Sequence, residues 1–513
     1  MIIPPVHRRI PGGDAIAAAI GLCTLLLGIA AALYYHRIGL TLSHYDARGH
    51  LVVARRIFDS ITPGWQQIGA VWLPLPHLLN ALPVQIDFLY RTGASAVAIS
   101  VASFAVAAGA VAWIVVSATG SEAAGACAAL VFALNPNVLY LQSTPMTEPL
   151  LVALTTLAVA MLIDWTEHVY SGGSCPPVGP RGRGVGAVLA LGCLTRYEAW
   201  PVTAVALTLA AWAIWRRSGS PRLAMRAVAA VAAYPAVAVI GFTVFSRVVI
   251  GEWFVSDGFF VPENKARGDL MLAAREIAWG TRMVGGAALV WLGLAGVAAL
   301  VVMGLASRRR VEAIIAVALG ATAATPLVAF YKGHPFRIRY MVPLIAIEAI
   351  GAGVAAGTVG IVGIVPRARL PAAAAVALLA MATLRPFDAT APMVIEAQWD
   401  RPNAPVRARV TACLGRPRPG EKIMASMGSL GHYMQEASAA GYELRDFLHE
   451  GNGDIWLAAI EHPRPFADWL LIEEKAEGGD LLAHIARDRP RFLDGYSRVC
   501  DGAGLALYRR DMN

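Results

Sequence analysis

LTLSHYDARGHLVVARRIFDSITPGWQQIGAVWLPLPHLLNAL, residues 40–82, follows directly on the first long apolar run of the chain. It is polar, charged and dotted with aromatics, so it is more than a connector between two membrane spans. Within it GHLVVARRIFD has helical periodicity: Leu51, Ala54 and Phe58 share one face, and Arg55 and Arg56 point elsewhere. That pattern predicts an interfacial helix on the membrane surface. Asp46 stands at its N-terminal side, where the helix dipole favours an anion, flanked by His44, Arg48 and His50. The following PGWQQIGAVWLPLPH, residues 63–77, is punctuated by Gly and Pro. Its Trp65 and Trp72 suit the lipid–water boundary, or the wall of a groove for a sugar or a prenyl chain.

Working outward, the 513 residues are 57% hydrophobic and 15% charged, with mean hydropathy +0.55. Soluble proteins carry about 25% charged residues. Apolar runs recur at roughly 14–36, 93–117, 122–141, 148–165, 184–199, 200–215, 226–250, 283–306, 311–331, 340–365 and 371–385, which predicts about eleven spans. The run over 184–215 is interrupted by Arg196 and Glu198 and reads as two short helices meeting at Pro201. The expected fold is a polytopic helical membrane protein, with a transmembrane domain over 1–385 and a small α/β domain over 386–513.

Basic residues orient it. His7–Arg9, Arg181 and Arg183, Arg216 to Arg226, Arg308–Arg310, and Arg367 with Arg369 all fall on one side. The positive-inside rule makes that side cytoplasmic, with the N-terminus inside and the protein in the inner membrane. The loops 40–92, 251–282 and 331–339 then share the outer side with the C-terminal domain. The net charge of +8 reads as topology signal and contact with anionic lipid, and argues against nucleic acid.

The C-terminal part mixes strand-like KIMAS, ELRDF, WLLIEE and LALYRR with helical segments between them. SMGSLG, at residues 426–431, reads as a helix start rather than a phosphate-cradling turn. Of six cysteines, Cys23, Cys127 and Cys193 sit in apolar runs and Cys175 in a loop. Cys413 and Cys500, both in the C-terminal part, are placed to pair or to stay free. No CxxC or Cys/His cluster points to zinc.

Four further segments carry candidate chemistry. Glu148 opens a helix behind Thr147, the candidate N-cap, and ahead of Pro149. Arg196 and Glu198 in TRYEAWP lie in an apolar hairpin, where ionisable groups are costly unless paired or facing a cavity. Being i,i+2, they are expected to find different partners. Lys332, His334, Arg337 and Arg339 form a cationic cluster on the outer side, against the topological trend. Guanidinium groups there suit a phosphodiester or pyrophosphate. In the 251–282 loop, Trp253, Phe254, Phe259 and Phe260 could cover a lipid-facing opening, with Lys265 and Arg267 adding to phosphate binding.

SHYDARGHLVVARRIFD, TPMTEP and HPFRIRYMVP, in this order and on one side, resemble the C-type (GT-C) integral-membrane glycosyltransferases. The resemblance is to the bacterial protein-mannosyltransferase and aminoarabinose-transferase branch. It implies a many-helix bundle, interfacial helices in the first outer loop, and a polyprenyl-phosphate sugar donor. It implies a catalytic base at Asp46 and an acidic positioning residue at Glu148; His44, His50, Arg196, Tyr197 and Glu198 are further candidates for acceptor or sugar positioning from their own settings. It implies donor phosphate contacts from Arg337 and Arg339, with Lys332 and His334 beside them. The acceptor would be a lipid, a cell-envelope polysaccharide or a protein. The acidic position is a single Asp without a paired DE or DxD, so no obligatory cofactor is expected, although His44 and His50 leave room for a divalent metal. A multi-pass transporter or lipid flippase is the competing reading, and a sugar-binding sensor or scaffold a third. The chain has no evident inverted repeat, and its charges gather in the outer loops.

Overall fold

A computed structural model describes residues 13–171, 179–251, 253, 265–308, 310–358 and 368–511. His7–Arg9, Cys175, Phe254, Phe259, Phe260, Arg309 and Arg367 lie outside the described residues.

The apolar runs all fold as helix where described. α1 (Gly13–Arg37) leads into a first loop holding α2 (Tyr45–Arg56), α3 (Leu75–Ala81) and α4 (Asp87–Thr92). The bundle continues with α5 (Ala94–Thr119), α6 (Glu122–Ala133), α7 (Pro136–Leu141), α8 (Glu148–Ser171), α9 (Pro180–Cys193), α10 (Ala199–Ser218) and α11 (Pro221–Phe245). It closes with α12 (Leu270–Gly285), α13 (Ala287–Ala306), α14 (Ala324–Tyr331), α15 (Ile345–Thr358) and α16 (Arg369–Thr383). A 13-residue 3-10 stretch, Val311–Ala323, runs on into α14, and a 7-residue one, Ile338–Leu344, into α15. Among the described residues seven helices are long and apolar enough to cross a membrane, and α6 and α16 are shorter apolar helices. The chain is a polytopic helical membrane protein with a small C-terminal sheet.

Tight packing within the bundle rests on glycine. A Cβ on Gly296 of α13 or on Gly351 of α15 would collide with the facing backbone, so the two helices touch main chain to main chain. The break between α9 and α10 falls at residues 194–198, not at Pro201. Pro201 stands in the first turn of α10, where its missing N–H costs nothing.

The C-terminal part adds α17 (Pro392–Glu396), α18 (Ala404–Leu414), α19 (Met427–Ala437), α20 (Asp454–Glu461) and α21 (Leu481–Asp488) around five strands. These are β1 (Ile423–Ala425), β2 (Phe447–Leu448), β3 (Trp469–Glu473), β4 (Tyr496–Gly502) and β5 (Leu505–Arg510), in the order β2-β1-β3-β5-β4. The first three are parallel, while β5 runs antiparallel to β3 and to β4. ELRDF contributes a 3-10 turn at Leu444–Asp446 and then only Phe447 to β2. Cys413 of α18 and Cys500 of β4 form a disulfide, with their Cα atoms 6.4 Å apart.

SMGSLG is a helix start, as expected. The Glu450 carboxylate accepts from the Ser426 hydroxyl and, at 2.7 Å, from the Met427 N–H that opens α19.

The first loop departs from the expectation in one respect. Leu51, Val52 and Ala54 of α2 are buried in one cluster with Leu430, Tyr433, Phe447 and Leu471 of the C-terminal part. Helix α2 is therefore wedged between the bundle and the sheet domain instead of facing lipid. The exposed apolar side chains on α3, α4 and their link are Leu78, Leu79, Leu82, Ile86 and Phe88. Phe58 lies past the end of α2 and is exposed, as is Trp65.

Arg55 and Arg56 are buried rather than pointing away, because each guanidinium finds partners. Arg55 donates to Asp59 (2.9 Å) and Asp87 (2.8 Å), and Arg56 to the Gln67 carbonyl (2.5 Å). Asp59 in turn accepts from the Leu444 and Arg445 N–H groups at 3.1 and 3.2 Å. Arg48 pairs with Glu436 of α19 at 2.5 Å. Polar bonds along α2 thus tie it to the C-terminal part.

Candidate active site

Helix α2 starts where it does because His44 caps it. His44 Nδ1 accepts from the Asp46 N–H at 3.1 Å, which puts Asp46 in the first turn and buries it at 5% exposure. Gly49, one turn on, lets Trp72 approach: a Cβ there would lie 2.9 Å from the Trp72 ring. That ring lies 4.2 Å from His50.

Asp46 begins a chain of alternating charge. Arg339 Nη1 forms an ion pair with Asp46, and Arg339 Nε lies 3.7 Å from Glu148 Oε1. Glu148 Oε1 is 3.0 Å from Arg196 Nη1, and Arg196 Nη2 is 2.7 Å from Glu198 Oε1. Arg196 Nη1 also donates to the Thr147 hydroxyl at 2.9 Å. Three carboxylates and two guanidiniums are gathered from four segments far apart in sequence. Buried charges persist only when paired in this way. The i,i+2 expectation for Arg196 and Glu198 is overturned. They face each other because residues 194–198 form turns rather than helix.

Arg339 reaches inward because of Glu396. The Ile338 N–H donates to Glu396 Oε2 at 2.6 Å, which fixes the turn that opens the 3-10 segment before α15. Glu396 Oε1 also lies 3.7 Å from His44 Nε2. Burial would raise the Glu396 carboxyl, but His44, Arg339 and the Ile338 N–H together hold it below the usual range. Burial lowers His44 to about 4, so its ring is neutral beside a charged carboxylate.

The expected cationic cluster is divided. Arg339 is buried among carboxylates, with its guanidinium 5.1 Å from the Tyr340 ring centroid. Arg337 is half-buried, 6.0 Å over the Tyr45 ring at the start of α2. His334 Nε2 lies 3.4 Å from the Tyr340 hydroxyl, and Lys332 is exposed at the end of α14. The division follows from the backbone, since Lys332–Arg337 form the link and Arg339 already belongs to the 3-10 turn.

His50 and His77 share a contact of 3.1 Å, and His77 Nδ1 lies 3.1 Å from the Leu73 carbonyl. Burial pushes His50 well below its ordinary value and His77 to about 3, which makes them a neutral pair. Tyr197 donates to the Ala70 carbonyl at 2.7 Å and pins the first loop over the α9–α10 link. Among the described residues no three His, Cys, Asp or Glu side chains are grouped to hold a metal ion. His44 and His50, which flank Asp46, turn to Glu396 and to His77.

Sequence reasoning missed three participants. Tyr340 was legible only as a helix start, and His77 was hidden inside a Pro-rich anchor. Glu396 carried a usable signal, as the first carboxylate after the expected last span on the side of Asp46 apart from Asp388.

No protein-family model and no curated protein matches the chain. Solved structures do. ArnT from Cupriavidus metallidurans bound to undecaprenyl phosphate superposes with a TM-score of 0.55 at 14% identity, over 94% of this chain and 97% of that one. The apo oligosaccharyltransferase of Archaeoglobus fulgidus gives 0.52 at 12% identity, over 89% of this chain and 70% of that one. AglB from the same organism, in complex with an inhibitory peptide and a dolichol-phosphate, gives 0.52 at 11% identity, over 89% and 69%. ArnT and AglB are GT-C glycosyltransferases, and this chain has the GT-C fold.

Proposed function

We propose that the protein transfers a sugar from a polyprenyl-phosphate donor to an acceptor hydroxyl at the outer face of the inner membrane. One observation carries the reading: Asp46, Arg339, Glu148, Arg196 and Glu198 form a buried charge chain within a GT-C fold. A structure of that fold is described as bound to undecaprenyl phosphate, and another as complexed with a dolichol-phosphate.

Asp46 is the base. It takes the proton of the acceptor hydroxyl as that oxygen attacks the anomeric carbon. The bond from anomeric carbon to phosphate oxygen breaks, and the lipid phosphate leaves with the electron pair. A single displacement inverts the centre. The leaving phosphate gains charge, and Arg337 and Arg339 are the groups to meet it, with Lys332 and His334 nearby. The Asp46–Arg339 pair gives this a sequence of events. A donor phosphate competes for Arg339 and, by drawing it off, leaves Asp46 without its cation and hence more basic. Glu148, Arg196 and Glu198 hold the other side of Arg339, while His44, His50 and Tyr197 fix the loop that carries Asp46. The acceptor belongs to a lipid, a polysaccharide or a protein, and the chemistry requires no cofactor.

The test uses the purified protein and a radiolabelled polyprenyl-phosphate sugar. Asp46→Asn should fold normally and lose transfer by about 10²–10⁴-fold, the usual worth of a general base. Near-normal turnover by that variant would sink the assignment.

A further inference from the structure

At the end of the bundle away from Asp46, a cavity of about 1340 Å³ opens between α1, α5 and α8. It exceeds the ~300–1,000 Å³ of sites for drug-sized ligands. Its polarity is graded. Away from the mouth the walls are apolar: Ala17, Gly21 and Leu25 of α1, Ala105 of α5, and Leu157 of α8. The mouth is charged with both signs, by Asp14, Asp164, Glu167, Arg181, Arg310 and Arg369.

The lining along α1 runs from Gly13 to Leu25, a rise of about 18 Å at 1.5 Å per residue. That is close to one leaflet, half of a hydrocarbon core about 30 Å thick. The dimensions and the grading are those of a lipid standing in its own leaflet, with its headgroup at the mouth.

The charges at the mouth choose among headgroups. Arg369 lines the cavity and has no ion-pair partner among the described residues, so its guanidinium is left for an anion. Among the described residues Asp164 is met at 3.5 and 3.6 Å, by His168 and Arg181, and Asp14 by the Trp113 indole at 3.0 Å. Carboxylates with such loose or neutral partners favour a cation. We propose that this cleft is a binding site for a phospholipid that carries both a phosphate and a primary ammonium. The phosphate lies on the Arg369 side and the ammonium against the carboxylates. The site is separate from the proposed transfer site and does not rest on it.

Native mass spectrometry of the full chain in mild detergent tests this, after exposure to equimolar phosphatidylethanolamine and phosphatidylglycerol vesicles. One retained lipid per protein is expected, with phosphatidylethanolamine favoured by about tenfold, or 1.4 kcal/mol. Ala18→Trp with Ala102→Trp, which fill the open side, should lower its occupancy about tenfold without touching the Asp46 site. Arg369→Gln should weaken retention of the same lipid and serves alone if the double variant fails to fold. Loss of the preference between the two lipids, no retained lipid, or undiminished retention in the variants overturns the proposal.

Discussion

Arg339 is the residue on which the site turns, because it touches two carboxylates from two different elements. Arg339→Lys keeps the charge but cannot span Asp46 and Glu148 with a rigid fork. Transfer should fall by about 10²-fold with the fold intact, and the loss should appear in kcat more than in KM if Arg339 meets the leaving phosphate. Arg339→Gln should also destabilise, by about 3–5 kcal/mol, since two buried carboxylates lose their shared cation. Thermal melts of the two variants separate the effects. At this scale the sequence was legible in kind but not in pairing. Asp46, Glu148, Arg196 and Arg339 stood out as charges in the wrong place. Which carboxylate met which guanidinium depended on the turn at residues 194–198 and on Glu396, and neither leaves a periodic trace.

Helix α2 shows the same limit one level up. Its apolar face was visible, but period alone does not say whether lipid or protein covers it. The answer lay in partners hundreds of residues away, such as Asp59, which caps the Leu444 turn. Asp59→Ala leaves Arg55 with Asp87 as its remaining carboxylate and strands two N–H groups, and should cost about 1–3 kcal/mol. Limited proteolysis at the α2–sheet junction should show faster cleavage there than within the bundle. Strand β4 escaped notice altogether. It is an edge strand with mostly exposed side chains, so Tyr496–Gly502 has no apolar alternation to read. The bundle helices, by contrast, were legible because lipid demands unbroken apolar runs.

Across the whole molecule, buried histidines set the response to pH. Burial lowers His44 to about 4 and both His77 and His449 to about 3, from an ordinary 6.5. Above pH 6.5 these rings are neutral in both folded and unfolded chains, and nothing is lost. Between pH 6.5 and the lowered values the unfolded chain takes up protons that the folded chain refuses, so stability falls as pH falls. Each ring should withdraw on the order of 1–3 kcal/mol. The melting temperature should therefore drop steadily from pH 7 to pH 4, and His449→Gln should flatten part of that slope. An unchanged melting temperature over this range would contradict the burial of these rings.

The wedge of α2 between bundle and sheet has a consequence for biogenesis. The segment that carries Asp46 leaves the ribosome early, yet Leu51, Val52 and Ala54 pack in one cluster with side chains of α19, β2 and β3, which are made near the end. Chains still in synthesis hold their first loop without its floor. The contacts that hold α2 are thus complete only once translation has passed Cys500 and the Cys413–Cys500 part has folded.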